Sequence, residues 1–140
     1  MMADTALSQR VPSASHRLGV LIVDDDAVQL MDMAQTLADA GMAVFEASSA
    51  GEALGVLKVR TDVRVMISDV DMRRGDLNGY ELAKAVSVRW PEIGLLIVSG
   101  QSRPKALDLP EGARFMNKPC APSALIGNVF AFASQQNGGI

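Results

Sequence analysis

The stretch Val63-Arg64-Val65-Met66-Ile67-Ser68-Asp69 decides the fold, because it is a short, mostly apolar and β-branched run that ends on a carboxylate. Such a run is expected of a central strand that is buried on both faces of a parallel sheet. Three other apolar runs lead in the same way to a polar group: the triplet Asp24-Asp25-Asp26, Ser99 and Lys118. If these strands are parallel, their carboxyl ends share one edge, where open α/β sheets place a ligand crevice.

Composition restricts the class of protein. The chain has 140 residues, of which 49% are hydrophobic, which predicts one domain with a single core. No apolar stretch reaches the roughly 18 residues of a membrane span, and residues 1–16 lack the apolar segment of a secretory signal. With a net charge of −3 and scattered basic residues, direct binding to nucleic acid is not expected. The single cysteine, Cys120, excludes an internal disulfide and fits a reducing compartment, so we expect a cytoplasmic protein. The only histidine is His16, in the lead-in, so we do not expect catalysis by histidine.

Apolar runs alternate with amphipathic stretches about five times, which is typical of the βα units of a parallel sheet. We expect a lead-in at 1–16, a domain at 17–134 and a frayed polar end at 135–140. Pro104, Pro110 and Gly112 leave room for little more than one helical turn before the last strand, so the fourth helix is expected to be degenerate. The expected strands are 18–23, 43–47, 63–68, 94–99 and 113–116, and the other helices, caps included, are 26–40, 49–60, 78–90 and 122–134.

Capping signals mark the ends of these helices. Asp26 suits the N-cap of the first helix, and Gly41 suits the position just beyond its end. Ser49 with Glu52 matches a capping box for the second helix, and Asn78 resembles another cap. These signals predict where the chain turns back toward the sheet.

The polar groups at the strand ends suit one reaction. Asp24, Asp25 and Asp69 would lie close together, and two carboxylates about 4 Å apart repel by roughly 4 kcal/mol at an effective dielectric of about 20. Such a cluster requires a cation or a raised pKa, and Mg²⁺ is the ion that combines one or two carboxylates with waters and a phosphate. Lys118 and Ser99 can bind phosphoryl oxygens, while a carboxylate nucleophile yields an acyl phosphate. The residues therefore predict Mg²⁺-assisted phosphorylation of an aspartate.

Four motifs, in order, carry a resemblance to a known family. They are Val20-Leu-Ile-Val-Asp-Asp-Asp26, Ile67-Ser-Asp-Val-Asp-Met72, Leu95-Leu-Ile-Val-Ser-Gly100 and Phe115-Met-Asn-Lys-Pro119. Over Arg17 to Ser134 the chain resembles the response-regulator receiver domain of two-component signalling. The resemblance implies a flavodoxin-like (CheY-like) α/β fold, with a five-stranded parallel sheet of order 2-1-3-4-5 and helices on both faces.

The resemblance also implies a role for each site residue. Asp69 is the expected phosphoacceptor, and Lys118, preceding a cis peptide to Pro119, is the expected phosphate-binding lysine. Ser99 is the expected switch hydroxyl and Phe115 the expected aromatic switch. The expected Mg²⁺ ligands are Asp25 directly, Asp24 mainly through water, Asp69, and the backbone carbonyl of Asp71.

The loop from Asp69 to Gly79 departs from the pattern of many receivers, because it is longer and lacks their proline. With this loop the chain resembles a group of bacterial single-domain regulators. In receivers, the output face is formed by the fourth helix, the fifth strand and the fifth helix. The resemblance therefore implies that a degenerate fourth helix alters this face.

The expected function is a stand-alone module that accepts a phosphoryl group from a sensor histidine kinase or a histidine phosphotransfer protein. No output domain fits after Ser134, so the signal is expected to pass by contact to a downstream protein that the sequence does not identify. The chain is not expected to be an enzyme beyond its own phosphorylation and dephosphorylation at Asp69. One alternative is a haloacid-dehalogenase-like phosphatase, suggested by Asp69-Val-Asp71, although no acid follows Lys118. The other is a receiver-fold binding module that is not phosphorylated.

Overall fold

The structure is a computed structural model that describes residues 17–72, 77–100 and 108–138. The expected lead-in at 1–16 and the last two residues lie outside the described part. So do residues 101–107, which hold most of the segment where the degenerate fourth helix is expected. Of that segment, residues 108–113 are described, and they form turns closed by a hydrogen bond from Ala113 N to Pro110 O at 3.1 Å.

Five parallel strands form one sheet in the order β2-β1-β3-β4-β5, which confirms the expected order. Four helices connect or follow them in the described residues. The strands are β1 (Gly19–Val23), β2 (Ala43–Ala47), β3 (Val63–Asp69), β4 (Gly94–Ser99) and β5 (Arg114–Asn117). The helices are α1 (Ala27–Asp39), α2 (Ala50–Val59), α3 (Gly79–Arg89) and α4 (Pro122–Gly138).

Helices cover both faces of the sheet, as expected. Alternate residues of each strand point to opposite faces, so each central strand contributes to two cores. One core contains Leu21 of β1 with Leu57 of α2 and Leu82 of α3. The other contains Ile22 of β1 with side chains of α1 and α4. Burial on both faces explains why the central strands read as continuous apolar runs rather than as alternating ones.

The helix starts follow the capping signals closely. The Asp26 carboxylate accepts hydrogen bonds from the backbone N–H groups of Val28 and Gln29, which confirms the first N-cap. The capping box of Asn78 is complete on both sides. The box predicted at Ser49 is only half right. Ser49 Oγ accepts from Glu52 N at 3.1 Å, but Glu52 Oε1 accepts from the N–H of Ser48 at 2.8 Å, one residue before the N-cap.

Several ends differ from the expected ones. Strand β3 includes Asp69, and β5 is shifted one residue toward the carboxyl terminus. The last helix continues past Ser134 to Gly138. No proline follows Ser134, and the glutamines that come next are good helix formers, so the backbone ladder can continue. None of the helices in the described residues is both long and apolar enough to cross a membrane.

Candidate functional site

A pocket of about 500 Å³ lies at the carboxyl edge of the sheet. The ends of the strands, the loops that follow them and the first turn of α1 build it, at the edge of the sheet that the apolar runs predict. The lining residues are Asp24, Asp25, Asp26, Gln29, Asp69, Asp71, Gly100 and Lys118.

Backbone hydrogen bonds hold the strand ends together at this pocket. Asp24 N donates to Ala47 O at 3.1 Å, which continues the β1–β2 ladder by one residue. Asp69 is in register with Val98 of β4. Lys118 N donates to Ser99 O at 2.8 Å, so the lysine is anchored to the end of β4. The side chains at this edge are therefore placed by the ladders of the sheet.

Three carboxylates converge in the pocket. Asp24 and Asp69 are buried and Asp25 is half-buried, and one oxygen from each lies within 4.8 Å of the others. Asp24 Oδ1 also accepts from the N–H of Asp26 at 2.9 Å. Three hard oxygen donors without nitrogen or sulfur suit Mg²⁺. The donor set therefore fits the expected metal.

Lys118 neutralises part of this cluster. Its Nζ donates to Asp69 Oδ1 at 2.8 Å and to Asp24 Oδ2 at 3.1 Å, and a third hydrogen bond goes to Gln29 Oε1. The peptide bond from Lys118 to Pro119 is cis, as expected. The ammonium thus bridges two strand ends and the first turn of α1.

Burial raises the pKa of the Asp69 carboxyl above its ordinary value, the hydrogen bond and charge of Lys118 oppose this, and the charges of Asp24 and Asp71 add to it. For Lys118, burial acts to lower the pKa, but hydrogen bonds and attraction from Asp69 and Asp24 together outweigh it, so the pKa is raised. The fold therefore places an ionised acid where ionisation is costly and stabilises it with one ammonium.

Ser99 and Asp71 lie beside the carboxylate cluster. Ser99 is fully buried, and its Oγ donates to Asp71 Oδ2 in a long hydrogen bond of 3.4 Å. The Asp71 carboxylate is not part of the three-carboxylate group. Phe115 lies outside the pocket, half-buried against the core under α2 and α3. The register pairs Ile97 with Phe115 and Ser99 with Asn117, so Ser99 and Phe115 point to the same face of the sheet.

The sequence leaves one residue of the pocket unidentified and gives another only a capping role. Asp26, which the sequence places at the expected crevice as a helix cap, also lines the pocket. Gln29 was not singled out at all. Its position three residues after the N-cap places it in the first turn of a helix that begins at the carboxyl edge, and this was the available signal.

The charge balance predicts the effect of removing the lysine. We expect Lys118→Met to lower the free energy of unfolding at pH 7 by about 1–3 kcal/mol, because the buried Asp24 and Asp69 lose their common partner. The pKa of Asp69 should rise further, so the folded variant binds more protons than the unfolded chain as pH falls from neutrality. The loss of stability should therefore shrink at pH 5, which urea unfolding at both pH values can measure.

The control is Lys58→Met, on the exposed side of α2. This change should alter the free energy of unfolding by no more than about 0.5 kcal/mol at either pH. A loss that is equal at pH 5 and pH 7 for Lys118→Met would contradict the role of carboxylate charge.

Comparisons with known proteins agree with this geometry. The family model described as the response regulator receiver domain matches residues 20–130. The chain is 31% identical over 121 residues to the hydrogenase transcriptional regulatory protein HoxA of Cupriavidus necator, covering 82% of this chain and 24% of that protein. It is 29% identical over 129 residues to the putative two-component response regulator ARR21 of Arabidopsis thaliana, covering 90% of this chain and 21% of that protein. The chain thus spans less than a quarter of these curated relatives.

A solved structure extends the comparison to the fold. The response regulator receiver domain protein (CheY-like) from Methanospirillum hungatei superimposes with a TM-score of 0.79 at 25% identity, covering 89% of this chain and 99% of that one.

Proposed function

The chain belongs to the response regulator receiver domain family, and from that premise we propose that it is a phosphorylatable module of a two-component or phosphorelay system. The observation that carries the proposal is the environment of Asp69. Its buried carboxylate accepts from Lys118 Nζ at 2.8 Å and shares a metal-sized cluster with Asp24 and Asp25.

In the proposed reaction, a carboxylate oxygen of Asp69 attacks the phosphorus of a phosphohistidine donor. A new O–P bond forms and the N–P bond breaks, with its electron pair leaving on the donor imidazole. Bound Mg²⁺ would neutralise the carboxylates and bind a phosphoryl oxygen. Asp25, Asp69 and the backbone carbonyl of Asp71 would hold the ion, with Asp24 acting mainly through water.

Lys118 and Ser99 are the proposed ligands of the phosphoryl oxygens. Lys118 would bind one oxygen as a point charge, and the Ser99 hydroxyl would donate to another after leaving Asp71. Phosphorylation adds a charge of about −1.5 to −2, which shifts a pre-existing equilibrium toward the conformation that pairs best with it. Phe115, on the same face as Ser99, would follow the hydroxyl inward and pass the change to the surface.

The proposed donor is a sensor histidine kinase or a histidine phosphotransfer protein, in the cytoplasm. The phosphorylated module would signal by contact with a downstream protein. Hydrolysis of its own acyl phosphate is the only other reaction proposed. The match to the receiver family favours this proposal over the haloacid-dehalogenase alternative.

The test is labelling of the whole chain by acetyl phosphate with Mg²⁺, followed on a gel that retards phosphoproteins. We expect up to one phosphoryl group per chain, no labelling when EDTA replaces Mg²⁺, and loss of the label on treatment with hydroxylamine, which cleaves acyl phosphates. A chain that binds Mg²⁺ but takes no label from acetyl phosphate or from a phosphohistidine donor would be the unphosphorylated binding module instead.

A further inference from the structure

The ammonium of Lys118 has no hydrogen-bonding capacity to spare. It carries three N–H donors, and the structure gives it three acceptors: Asp69 Oδ1, Asp24 Oδ2 and Gln29 Oε1. A fourth acceptor, such as a phosphoryl oxygen, can bind only when one of these three is released. The identity of the acceptor that leaves affects how readily the phosphoryl group is received.

Gln29 is held in place by the start of α1. Its Nε2 donates to Asp26 Oδ2 at 3.4 Å, and Asp26 is the N-cap that fixes this turn of the helix. With the amide nitrogen directed to a carboxylate, the amide oxygen is directed to the ammonium of Lys118. This pairing of donors and acceptors sets the orientation of the amide.

Of the three acceptors, Gln29 has the weakest electrostatic attraction to the ammonium of Lys118. Asp24 and Asp69 are buried carboxylates, so the ammonium attracts each of them as a full opposite charge, an attraction that the neutral amide of Gln29 lacks. Gln29 is neutral and exposed, so water replaces its contact at little cost. Release of Gln29 therefore costs less than release of either carboxylate.

We propose that Gln29 is a positioning residue that holds Lys118 Nζ at the pocket in the unphosphorylated chain and yields its hydrogen bond to a phosphoryl oxygen. The inference rests on the proposed function, because it needs a phosphoryl group to arrive. Gln29 thereby competes with the phosphoryl group for the lysine and moderates the rate of phosphorylation.

Two substitutions change this competition in opposite directions. Gln29→Leu removes the acceptor and should raise the initial rate of labelling by acetyl phosphate with Mg²⁺ by about twofold to fivefold, which is the lower part of the range for one net hydrogen bond. Gln29→Glu replaces the neutral acceptor with a carboxylate and should lower the rate by about tenfold or more.

The matched controls are Gln35→Leu and Gln35→Glu. Gln35 is exposed on the same helix and donates to Asp39 at 2.8 Å, away from Lys118. Its substitutions repeat the loss of an amide and the added charge without touching the lysine, and each should change the labelling rate by less than about twofold.

A second measurement tests the contact without any phosphate. The shift in the urea midpoint caused by Gln29→Leu should be smaller in a Lys118→Met background, because both changes remove the bond between Lys118 and Gln29, whereas the bond from Gln29 to Asp26 is lost in either background. Equal shifts in both backgrounds, or a rate for Gln29→Leu at or below that of the wild type, would overturn the inference.

If neither the wild type nor any variant is labelled, the proposed function fails and the inference fails with it. Labelling of the wild type with unchanged rates in both Gln29 variants would overturn the inference alone.

Discussion

Replacement of Asp69 by Asn is expected to abolish labelling by acetyl phosphate and Mg²⁺. The amide has no carboxylate oxygen to attack phosphorus, and it replaces one of the three carboxylates that could share a cation with a neutral group. The gel assay should show no shifted band under conditions in which the wild type is labelled. Unfolding should not account for this loss. Burial raises the pKa of the Asp69 carboxyl, so its ionised form is costly in the fold and the urea midpoint of Asp69→Asn should equal or exceed that of the wild type.

Asp26→Asn is the matched control for this prediction. It makes the same chemical change at the edge of the same pocket, and Asn is as good an N-cap as Asp. The variant should stay folded and accept the phosphoryl group. Equal labelling of the wild type and Asp69→Asn would assign the nucleophile to another residue.

Gly79→Ala is expected to destabilise the chain strongly, because an added Cβ would meet backbone atoms. A Cβ at this position would lie 2.2 Å from Asp69 O and 2.8 Å from the Cα of Val70. Both are backbone atoms, so no side chain can rotate away, and α3 must shift. The Gly79 N–H also donates to Val70 O at 3.0 Å, so this shift strains the junction between α3 and the end of β3.

We expect Gly79→Ala to reduce the free energy of unfolding by about 3 kcal/mol, at the upper end for overpacking. Because the displaced backbone includes Asp69 itself, the labelling rate of the folded fraction should also fall. Urea unfolding measures the first effect, and labelling at a urea concentration where the variant is folded measures the second.

Gly55→Ala is the control for added methyl groups. Gly55 is exposed in the middle of α2, and a Cβ there would meet nothing within 4 Å. Alanine is the better helix former by about 0.5–1 kcal/mol, so this variant should be more stable than the wild type and should be labelled normally. A Gly79→Ala variant of wild-type stability would mean that α3 and β3 are not in contact at this point.

The position of the site was accessible from the pattern of the strand ends, and the order of the strands from the resemblance to the receiver family. Residues 65–67 are apolar at successive positions, which is typical of a strand covered on both faces, and the helix caps at Asp26 and Asn78 follow from local hydrogen bonding. Polar residues at the ends of such strands can only meet at the carboxyl edge. The convergence of Asp24, Asp25, Asp69 and Lys118 therefore follows from the pattern of the sequence together with the rule for parallel sheets.

Local ends and partners were less predictable, because alternatives of similar energy compete for them. The carboxylate of Glu52 accepts from both the N–H and the hydroxyl of Ser48, one residue before the N-cap where a capping box would place it. The last helix continues beyond Ser134 because nothing in the sequence stops its backbone ladder there. Both outcomes depend on differences of a few tenths of a kcal/mol to about 1 kcal/mol, which is the size of a single cap or propensity effect.

The sequence by itself determined the parallel sheet, its cores and the carboxylates at its edge, because periodicity and strand ends are properties of neighbouring residues. Only the tertiary structure decided which three groups accept hydrogen bonds from the ammonium of Lys118. Gln29 lies 89 positions earlier in the chain, and its contact with the lysine depends on the distance between α1 and the end of β5. No local pattern encodes that distance, since it results from the packing of α1 against the sheet.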